Sequence, residues 1–324
     1  MKGKIMFDII SLGETLIDFT SKGVSAQGAK IFEANPGGAP CNVLAAMSKI
    51  GKSCAFIGKV GNDMFGNTLI DTMKSLNIDT RGVTVSDTEF TTLAFVSLSE
   101  NGDREFSFAR KNSADVMLSE EEVDEEIIKN ARILHIGTLS LTHPSARKAT
   151  EKAVRIAKEN GVIISCDPNL RLGLWDTPEN AAEAIKYVLS QADIIKISDY
   201  ETEFLYGSTD ITECAKRVFN TYTPRCLFLT AGKNGAYMMT KNHFLHEPCL
   251  SGIRTVDTTG AGDCFCGVAL YGLLENGFDT ENYGEATCRD VLKLANTAAN
   301  LSTERFGAIA SMPTMEQILK VYEK

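Results

Sequence analysis

Short apolar runs alternate along the chain with longer stretches in which apolar residues recur every three to four positions. The short runs predict β-strands at residues 7–12, 54–57, 133–136, 162–166, 194–197 and 226–230. The longer stretches predict helices at residues 42–50, 64–76, 119–129, 143–160, 180–190 and 211–222. Ser119 and Glu122 have the spacing of a capping box, which marks one helix start. The alternation favours a parallel sheet covered by helices on both faces, with ligands bound beyond the carboxyl ends of the strands.

Two regions break this alternation. Residues 91–98 and 104–110 alternate apolar and polar positions, and Asn101-Gly102 between them is a strong hairpin signal. A second extended pair surrounds residues 21–28. Together these segments predict a small separate sheet that serves as a lid and excludes water from a site. The lid would be inserted at about 16–34 and 90–112 into a single domain that spans 1–324. An edge hairpin without function is the alternative.

The segment DTTGAGD at residues 257–263 is followed at once by an apolar helical stretch. Gly260 and Gly262 let the backbone turn tightly, so that successive N–H groups at the start of the helix point at one spot. Asp263 places a carboxylate beside them. The pattern therefore predicts a site that holds an anion next to a base, although an ordinary helix start has the same local sequence.

Composition narrows the possible functions. The 324 residues, 44% of them hydrophobic, are enough to bury a large core. The 33 basic and 42 acidic residues give a net charge of −9, which disfavours a nucleic-acid partner. Nine dispersed cysteines with no histidine grouped near them indicate reduced thiols of a cytoplasmic protein and argue against structural zinc. No apolar run approaches the length of a membrane span, and no secretory segment is recognisable at the start, so we expect no membrane partner.

Several segments, in the same order along the chain, together resemble the PfkB, or ribokinase, family of carbohydrate kinases. The chain is most similar to the fructokinase branch of that family. The segments are GETLIDF at 13–19, NPGGAPCN at 35–42, KVGNDMFG at 59–66, DPNLRLGLW at 167–175 and DTTGAGD at 257–263. The resemblance implies a ribokinase-like three-layer α/β sandwich, with a mostly parallel central sheet between helices and a small β-sheet lid. It also implies ATP-dependent phosphorylation of a sugar hydroxyl.

The resemblance assigns roles to individual residues. Asp263 would be the general base, and the amides of Gly260, Ala261 and Gly262 would neutralise charge on the transferred phosphoryl group. The base need not have a raised pKa, because an ionised carboxylate can accept the proton late in transfer. The expected sugar-binding residues are Asp18, Gly37, Gly38, Asn42, Phe95, Phe108, Arg110 and Arg171. In other contexts, such residues would be turn, capping, strand-packing or solvated surface residues.

The nucleotide and ion sites rest on the same resemblance. The expected nucleotide-binding residues are Lys196, Glu201, Thr230, Gly232, Gly235 and Asn296, with Glu201 organising Mg²⁺ through water. Ser198 stands where many relatives have Asn. A monovalent cation, K⁺, is expected near Asp257, Thr259, Ser302, Arg305, Gly307 and Ser311, several of which would use backbone carbonyls.

The substrate and the reaction class leave alternatives. Fructose, converted to fructose 6-phosphate, is the first choice, and 2-keto-3-deoxygluconate is the second because Arg110 and Arg171 would pair with its carboxylate. A non-catalytic sugar sensor is a further alternative, although a pure binder would not need a base. A dinucleotide oxidoreductase is disfavoured, since no GxGxxG follows the first predicted strand. The exposed edges and aromatic residues of the lid suggest a homodimer formed through it.

Overall fold

A computed structural model of the chain describes residues 6–98 and 104–323. The strands are β1 (Phe7–Leu12), β2 (Leu16–Val24), β3 (Lys30–Gly37), β4 (Cys54–Gly61), β5 (Ile78–Ser86), β6 (Leu93–Leu98), β7 (Arg104–Ala109), β8 (Ala131–Ile136), β9 (Ile163–Cys166), β10 (Ile194–Ser198), β11 (Cys226–Thr230), β12 (Ala236–Met239) and β13 (Phe244–Glu247). The helices are α1 (Ala39–Lys49), α2 (Met64–Ser75), α3 (Glu125–Lys129), α4 (Pro144–Glu159), α5 (Pro178–Gln191), α6 (Asp199–Tyr206), α7 (Ile211–Tyr222), α8 (Ala261–Glu275), α9 (Glu285–Ser302), α10 (Ala308–Ser311) and α11 (Met315–Tyr322).

Nine strands form the central sheet in the order β13-β12-β11-β10-β9-β8-β1-β4-β5. Neighbours from β11 to β5 pair in parallel, whereas β12 and β13 join one edge antiparallel. Successive side chains of a strand point to opposite faces, so Ile9 packs into one core and Ile10 into the other. Helices α1, α2, α8, α9 and α11 contribute buried residues to the first core, and α3, α4, α5 and α7 to the second. The predicted α/β sandwich is confirmed.

A separate four-stranded sheet, the small sheet, has the order β3-β2-β6-β7. Asp18 on β2 lies opposite Ala94 on β6, which lies opposite Phe108 on β7. Phe19 lies opposite Phe95 and therefore belongs to the other face of the small sheet. The hairpin turn predicted at Asn101-Gly102 lies outside the described residues.

The structure corrects one predicted helix and adds elements that the pattern missed. Residues 119–129 form a short 3₁₀ turn followed by α3, because Asp124 accepts from the N–H groups of Glu126 and Ile127 and starts a new helix. The predicted link from Ser119 to Glu122 is present, since the Ser119 N–H donates to the Glu122 carboxylate at 2.7 Å. Strand β5 and helix α9 were missed because polar residues interrupt their apolar pattern. No helix within 6–98 or 104–323 is long and apolar enough to cross a membrane.

Candidate active site

Two cavities adjoin at the carboxyl end of the central sheet. The first, of about 260 Å³, lies between the small sheet and the start of α8 and is lined by Asp18, Phe108 and Asp263 among others. The second, of about 540 Å³, is lined by the ends of β10 and β11 and by α9. Lys196 and Gly262 line both cavities. A ligand in one cavity therefore meets a ligand in the other beside these two residues.

The start of α8 lies where the two cavities join. Gly260 precedes the helix with φ 77°, and a Cβ added to it would come within 2.7 Å of the Ala308 side chain. Only glycine therefore fits this turn. The first N–H groups of an α-helix have no acceptor within the helix, and they lie at the positive end of the helix dipole. The N-terminus of this 15-residue helix can therefore bind an anion in the cavities. The Ala261 N–H itself donates to the Thr258 carbonyl at 3.3 Å, which leaves the amides around Gly262 as the better candidates.

Asp263 occupies the first turn of α8 and is only 7% exposed. Its Oδ2 accepts a hydrogen bond from Asn42 Nδ2 at 2.8 Å, and its Oδ1 accepts from Asn169 Nδ2 at 3.3 Å. Burial and the nearby charge of Asp167 raise the pKa of Asp263 to about 6, against the opposing influence of the Asn42 bond, Lys196 and Arg171. The carboxyl is thus mostly ionised at neutral pH and close to the pKa that suits a general base.

Asn42 lies in the first turn of α1 and is 5% exposed. Its Nδ2 is committed to Asp263, while its buried Oδ1 has no hydrogen-bond partner among the described residues. A buried acceptor without a partner is costly unless a ligand or water supplies a donor. Because Asn42 lines the first cavity, its Oδ1 is an acceptor available to a hydroxyl or other donor group there.

Lys196 on β10 carries a buried positive charge between the two cavities. Its Nζ donates to Asp167 Oδ2 at 2.8 Å. Burial alone would lower the pKa of Lys196, but the charges of Asp167 and Glu201 outweigh it and hold the pKa above its ordinary value. A Cβ added to Gly262 would lie 3.3 Å from Nζ, so the ammonium is adjacent to the start of α8. An anion at this point therefore meets both a fixed cation and helix amides.

The first cavity receives most of the predicted sugar residues but not all of them. Asp18, Gly38, Asn42, Phe108 and Arg171 line it. Gly37 lies just beneath, where an added Cβ would come within 2.5 Å of the Asp18 carboxylate.

The structure corrects the prediction that Phe95 binds the sugar, because Phe95 lies on the face of the small sheet opposite Asp18 and Phe108. Its ring stacks on Phe19 at 5.1 Å between centroids and meets Phe32 edge to face at 5.9 Å. The alternation of side chains along β6 directs Ala94, rather than Phe95, toward the first cavity.

The second correction concerns Arg110, which does not line the first cavity but contacts Leu139 in its floor. Its Nε and Nη2 donate to Asp115 at 2.8 and 2.7 Å, Nη1 donates to Thr142 Oγ1 at 2.8 Å, and Nη2 also reaches the Leu139 carbonyl at 2.9 Å. The side chain is buried. A guanidinium with these partners supports the floor of the site and is poorly placed to pair with a substrate carboxylate.

The second cavity collects the predicted nucleotide residues with one exception. Its lining includes Lys196, Thr230, Gly232, Gly235 and Asn296. Glu201 instead lines the first cavity, where its carboxylate accepts from the Leu170 N–H at 2.8 Å and from the Ser198 N–H at 2.8 Å. The Ser198 hydroxyl also donates to it at 2.8 Å, so Ser198 serves as the helix cap of α6.

Four of the predicted cation residues, Asp257, Thr259, Arg305 and Gly307, lie in two loops that Asp257 holds together, whereas Ser302 and Ser311 end α9 and α10. Its Oδ1 accepts from the N–H and hydroxyl of Thr259, and its Oδ2 accepts from the Gly307 N–H at 3.0 Å. The hydroxyls of Ser302 and Ser311 donate to carbonyls within their own helices, and Arg305 is exposed. Main-chain oxygens of these loops are therefore the better candidates for a cation. Within 6–98 and 104–323, no three His, Cys, Asp or Glu side chains cluster as metal ligands.

Three residues of the site were not assigned a role from the sequence: Glu14, Asp167 and Asn169. Asp167 and Asn169 follow β9, and the rule that ligands bind beyond the carboxyl ends of parallel strands pointed to that position. Glu14 follows β1, lines the first cavity and accepts from the Ala39 N–H at 3.2 Å, which caps α1. Burial raises the pKa of Glu14 to about 7, although Arg110 opposes the shift.

Comparisons with known proteins agree with this architecture. Residues 6–315 match the profile described as pfkB family carbohydrate kinase. The chain is 40% identical over 310 residues to a probable fructokinase-2 of Arabidopsis thaliana, covering 94% of this chain and 93% of the relative. Its fold is similar to the crystal structure of fructokinase with bound ATP from Xylella fastidiosa, with a TM-score of 0.89, 28% identity and coverage of 98% and 99% of the two chains.

A double mutant of fructokinase from Vibrio cholerae, solved with fructose, ADP and a potassium ion, is similar at a TM-score of 0.85 and 29% identity, covering 97% of this chain and 98% of that one. The family profile spans nearly the whole chain, and the two cavities, the buried carboxylate and the helix terminus lie within the matched residues. The chain therefore belongs to the pfkB family of carbohydrate kinases, phosphotransferases with an alcohol group as acceptor.

Proposed function

We propose that the protein is a fructokinase, which transfers the γ-phosphoryl group of ATP to the 6-hydroxyl of D-fructose. The observation that carries the proposal is the buried Asp263, held by two amides where a polar cavity adjoins a helix N-terminus. Relatives named fructokinases, about 40% identical over nearly the full length, support the choice of sugar.

In this mechanism the first cavity holds the sugar and the second holds the nucleotide. Asp263 accepts the proton of the attacking hydroxyl, while the amides around Gly262 and the ammonium of Lys196 stabilise charge on the phosphoryl group. Asn42 Oδ1 accepts a hydrogen bond from a neighbouring sugar hydroxyl. Asp18 and Arg171 orient the rest of the polyol.

ATP brings Mg²⁺, which neutralises phosphate charge and typically keeps several of its waters. The Glu201 carboxylate already accepts hydrogen bonds from Leu170 and Ser198, so it suits a water-mediated role better than direct ligation.

For a monovalent cation, we propose main-chain oxygens of the two loops joined by Asp257, with K⁺ as the ion. Exchange of K⁺ for tetramethylammonium at constant ionic strength is then expected to lower kcat, and an unchanged kcat would remove this site.

The charge of the first cavity favours a neutral sugar over an acid sugar. Glu14, Asp18, Glu201 and Asp263 line it, with Arg171 and the paired Lys196 as its basic residues. Arg110 is held by Asp115 in the floor and so does not complete an arginine pair for a carboxylate. A 2-keto-3-deoxygluconate carboxylate would therefore meet more negative than positive side chains.

A substrate panel tests this assignment directly. With ATP and Mg²⁺, we expect kcat/KM for fructose to exceed that for 2-keto-3-deoxygluconate by at least about tenfold, roughly 1.4 kcal/mol in transition-state binding. Higher kcat/KM for the acid sugar would reassign the substrate within the family. Binding of fructose without ADP release would instead indicate a sensor.

We further propose a homodimer joined through the small sheet, which would act as the lid of a single kinase domain spanning 1–324. The aromatic face formed by Phe19, Phe32 and Phe95 supports this, because Phe95 remains 36% exposed. A cytoplasmic location is proposed because all nine cysteines are free thiols, eight of them buried.

A further inference from the structure

Asn169 contacts the catalytic carboxylate from the side opposite Asn42. The two amides reach different oxygens of Asp263, at 3.3 Å from Asn169 and 2.8 Å from Asn42. Asn42 stands on α1 and Asn169 on the loop after β9, so the carboxylate is held between two separate elements. Rotation about the terminal torsion of an aspartate is otherwise broad. Two donors on different oxygens therefore fix the plane of the carboxylate.

The backbone around Asn169 aims its side chain. Asn169 has φ 50°, a left-handed conformation that asparagine and glycine tolerate better than other residues. Its N–H donates to Asp167 Oδ1 at 3.3 Å, and the next N–H, of Leu170, donates to Glu201 at 2.8 Å. Asp167 is itself anchored by Lys196. The turn is thus held by the buried charged side chains of Asp167 and Glu201.

We propose that Asn169 is a positioning residue that orients the Asp263 carboxylate toward the sugar hydroxyl. The inference rests on the proposed role of Asp263 as the base and deepens it. An amide donor favours the ionised carboxylate and fixes its lone pairs, and a misplacement of about 1 Å in such a group lowers turnover by about 100-fold. Three hydrogen bonds then connect the phosphate end of the site to its base. Lys196 donates to Asp167, the Asn169 N–H donates to Asp167, and the Asn169 side chain donates to Asp263.

Two substitutions keep the left-handed turn and separate the roles of the side chain. Asn169→Gly removes the amide, and we expect kcat to fall about 10-fold to 100-fold while KM for the best sugar of the panel changes by less than about threefold. Asn169→Asp replaces the donor with a second carboxylate, and we expect the acidic limb of the kcat/KM profile to move up by about one pH unit.

Asn77 offers a matched control. It is exposed, has φ 56° and lies between α2 and β5, away from both cavities. Asn77→Gly and Asn77→Asp are expected to leave kcat and the acidic limb unchanged. Thermal melts of all four variants identify any loss of folding, and if Asn169→Asp does not fold, the kcat and KM of Asn169→Gly decide the matter.

The outcomes distinguish this inference from the proposed function. Should Asp263→Asn be inactive while Asn169→Gly keeps kcat within twofold and Asn169→Asp keeps the wild-type limb, the positioning role is overturned and the base stands. If Asp263→Asn retains turnover, the base assignment and the positioning role both fail.

Discussion

At the scale of single residues, burial makes ionisation of the Asp263 carboxyl less favourable in the folded protein than in the unfolded chain. Its pKa is raised from 3.8 to about 6, chiefly by burial, so the folded protein binds a proton more readily than the unfolded chain. Between pH 4 and 6, stability from this group is therefore present at the acidic end and is lost as the pH rises. Burial of the ionised Asp263 carboxylate therefore lowers the stability of the folded protein at neutral and alkaline pH.

A substitution makes this cost measurable. Asp263→Asn removes the charge but keeps the shape, so we expect the variant to be more stable than the wild type at pH 8, by about 1–3 kcal/mol or a few degrees in Tm. At pH 5 the advantage should shrink, because most wild-type Asp263 is then protonated. Paired thermal melts at pH 5 and 8 measure it. An equal difference at both pH values, or a variant less stable at pH 8, would contradict the account.

At the scale of elements, α1 carries a matched pair of glycines that tests how tightly the site is built. Gly38 before the helix has φ 108°, and an added Cβ would come within 2.5 Å of the Glu14 carbonyl. Gly51, beyond the other end, has φ 87° with nothing within 4 Å of an added Cβ. Gly51→Ala then measures backbone strain alone, about 1–2 kcal/mol.

We expect Gly38→Ala to cost several kcal/mol more than that strain alone, since the clash is with backbone. It should also raise KM for the sugar by displacing Asn42, four residues into the same helix. Denaturant unfolding and steady-state kinetics of both variants check this. Equal losses of stability with an unchanged KM would show that the start of α1 does not hold the sugar site in place.

The sequence predicts the elements better than it predicts their contacts. The short apolar runs correctly predicted six strands of the central sheet, because buried parallel strands are continuously apolar. They missed β12 and β13, two short antiparallel strands at one side of the sheet. The resemblance of residues 257–263 to a family motif pointed to Asp263, but not to Asn169, whose role depends on a hydrogen bond across 94 residues. The local sequence likewise does not predict that Arg110 pairs with Asp115 instead of a substrate, because side-chain packing in the folded protein decides it.

At the scale of the whole molecule, the site unites segments far apart in the chain. Asn42 and Asp263 are 221 residues apart and meet at 2.8 Å. Both cavities depend on the central sheet, which brings the loops after β1, β9, β10 and β11 together at the carboxyl end of its parallel strands. One face of the small sheet contributes Asp18 and Phe108 to the lining of the first cavity. On its other face Phe19 contacts Phe65 of α2, whereas Phe95 remains 36% exposed and faces outward.

That outward face yields a prediction about assembly. If two copies pair through it, Phe95→Ser should shift a wild-type dimer toward monomer at micromolar concentration, with at least about a tenfold weaker association, or roughly 1.4 kcal/mol. Leu319→Ser on α11 is the matched control, since Leu319 is 38% exposed and α11 packs against α9. Sedimentation velocity measures both. A wild-type protein that stays monomeric, or a Phe95→Ser variant that dimerises equally well, would exclude this interface.

The central claim is that this carbohydrate kinase phosphorylates fructose with Asp263 as its base. It is tested most directly by ADP release from ATP, Mg²⁺ and fructose, with fructose binding measured by calorimetry on the same samples. We predict fructose-dependent turnover that falls by about 100-fold to 10,000-fold in Asp263→Asn, with fructose binding retained and with Asp79→Asn, at the opposite end of the sheet, unaffected. Fructose binding without turnover in the wild type, or an Asp263→Asn variant that keeps more than about a tenth of wild-type turnover, would contradict the account.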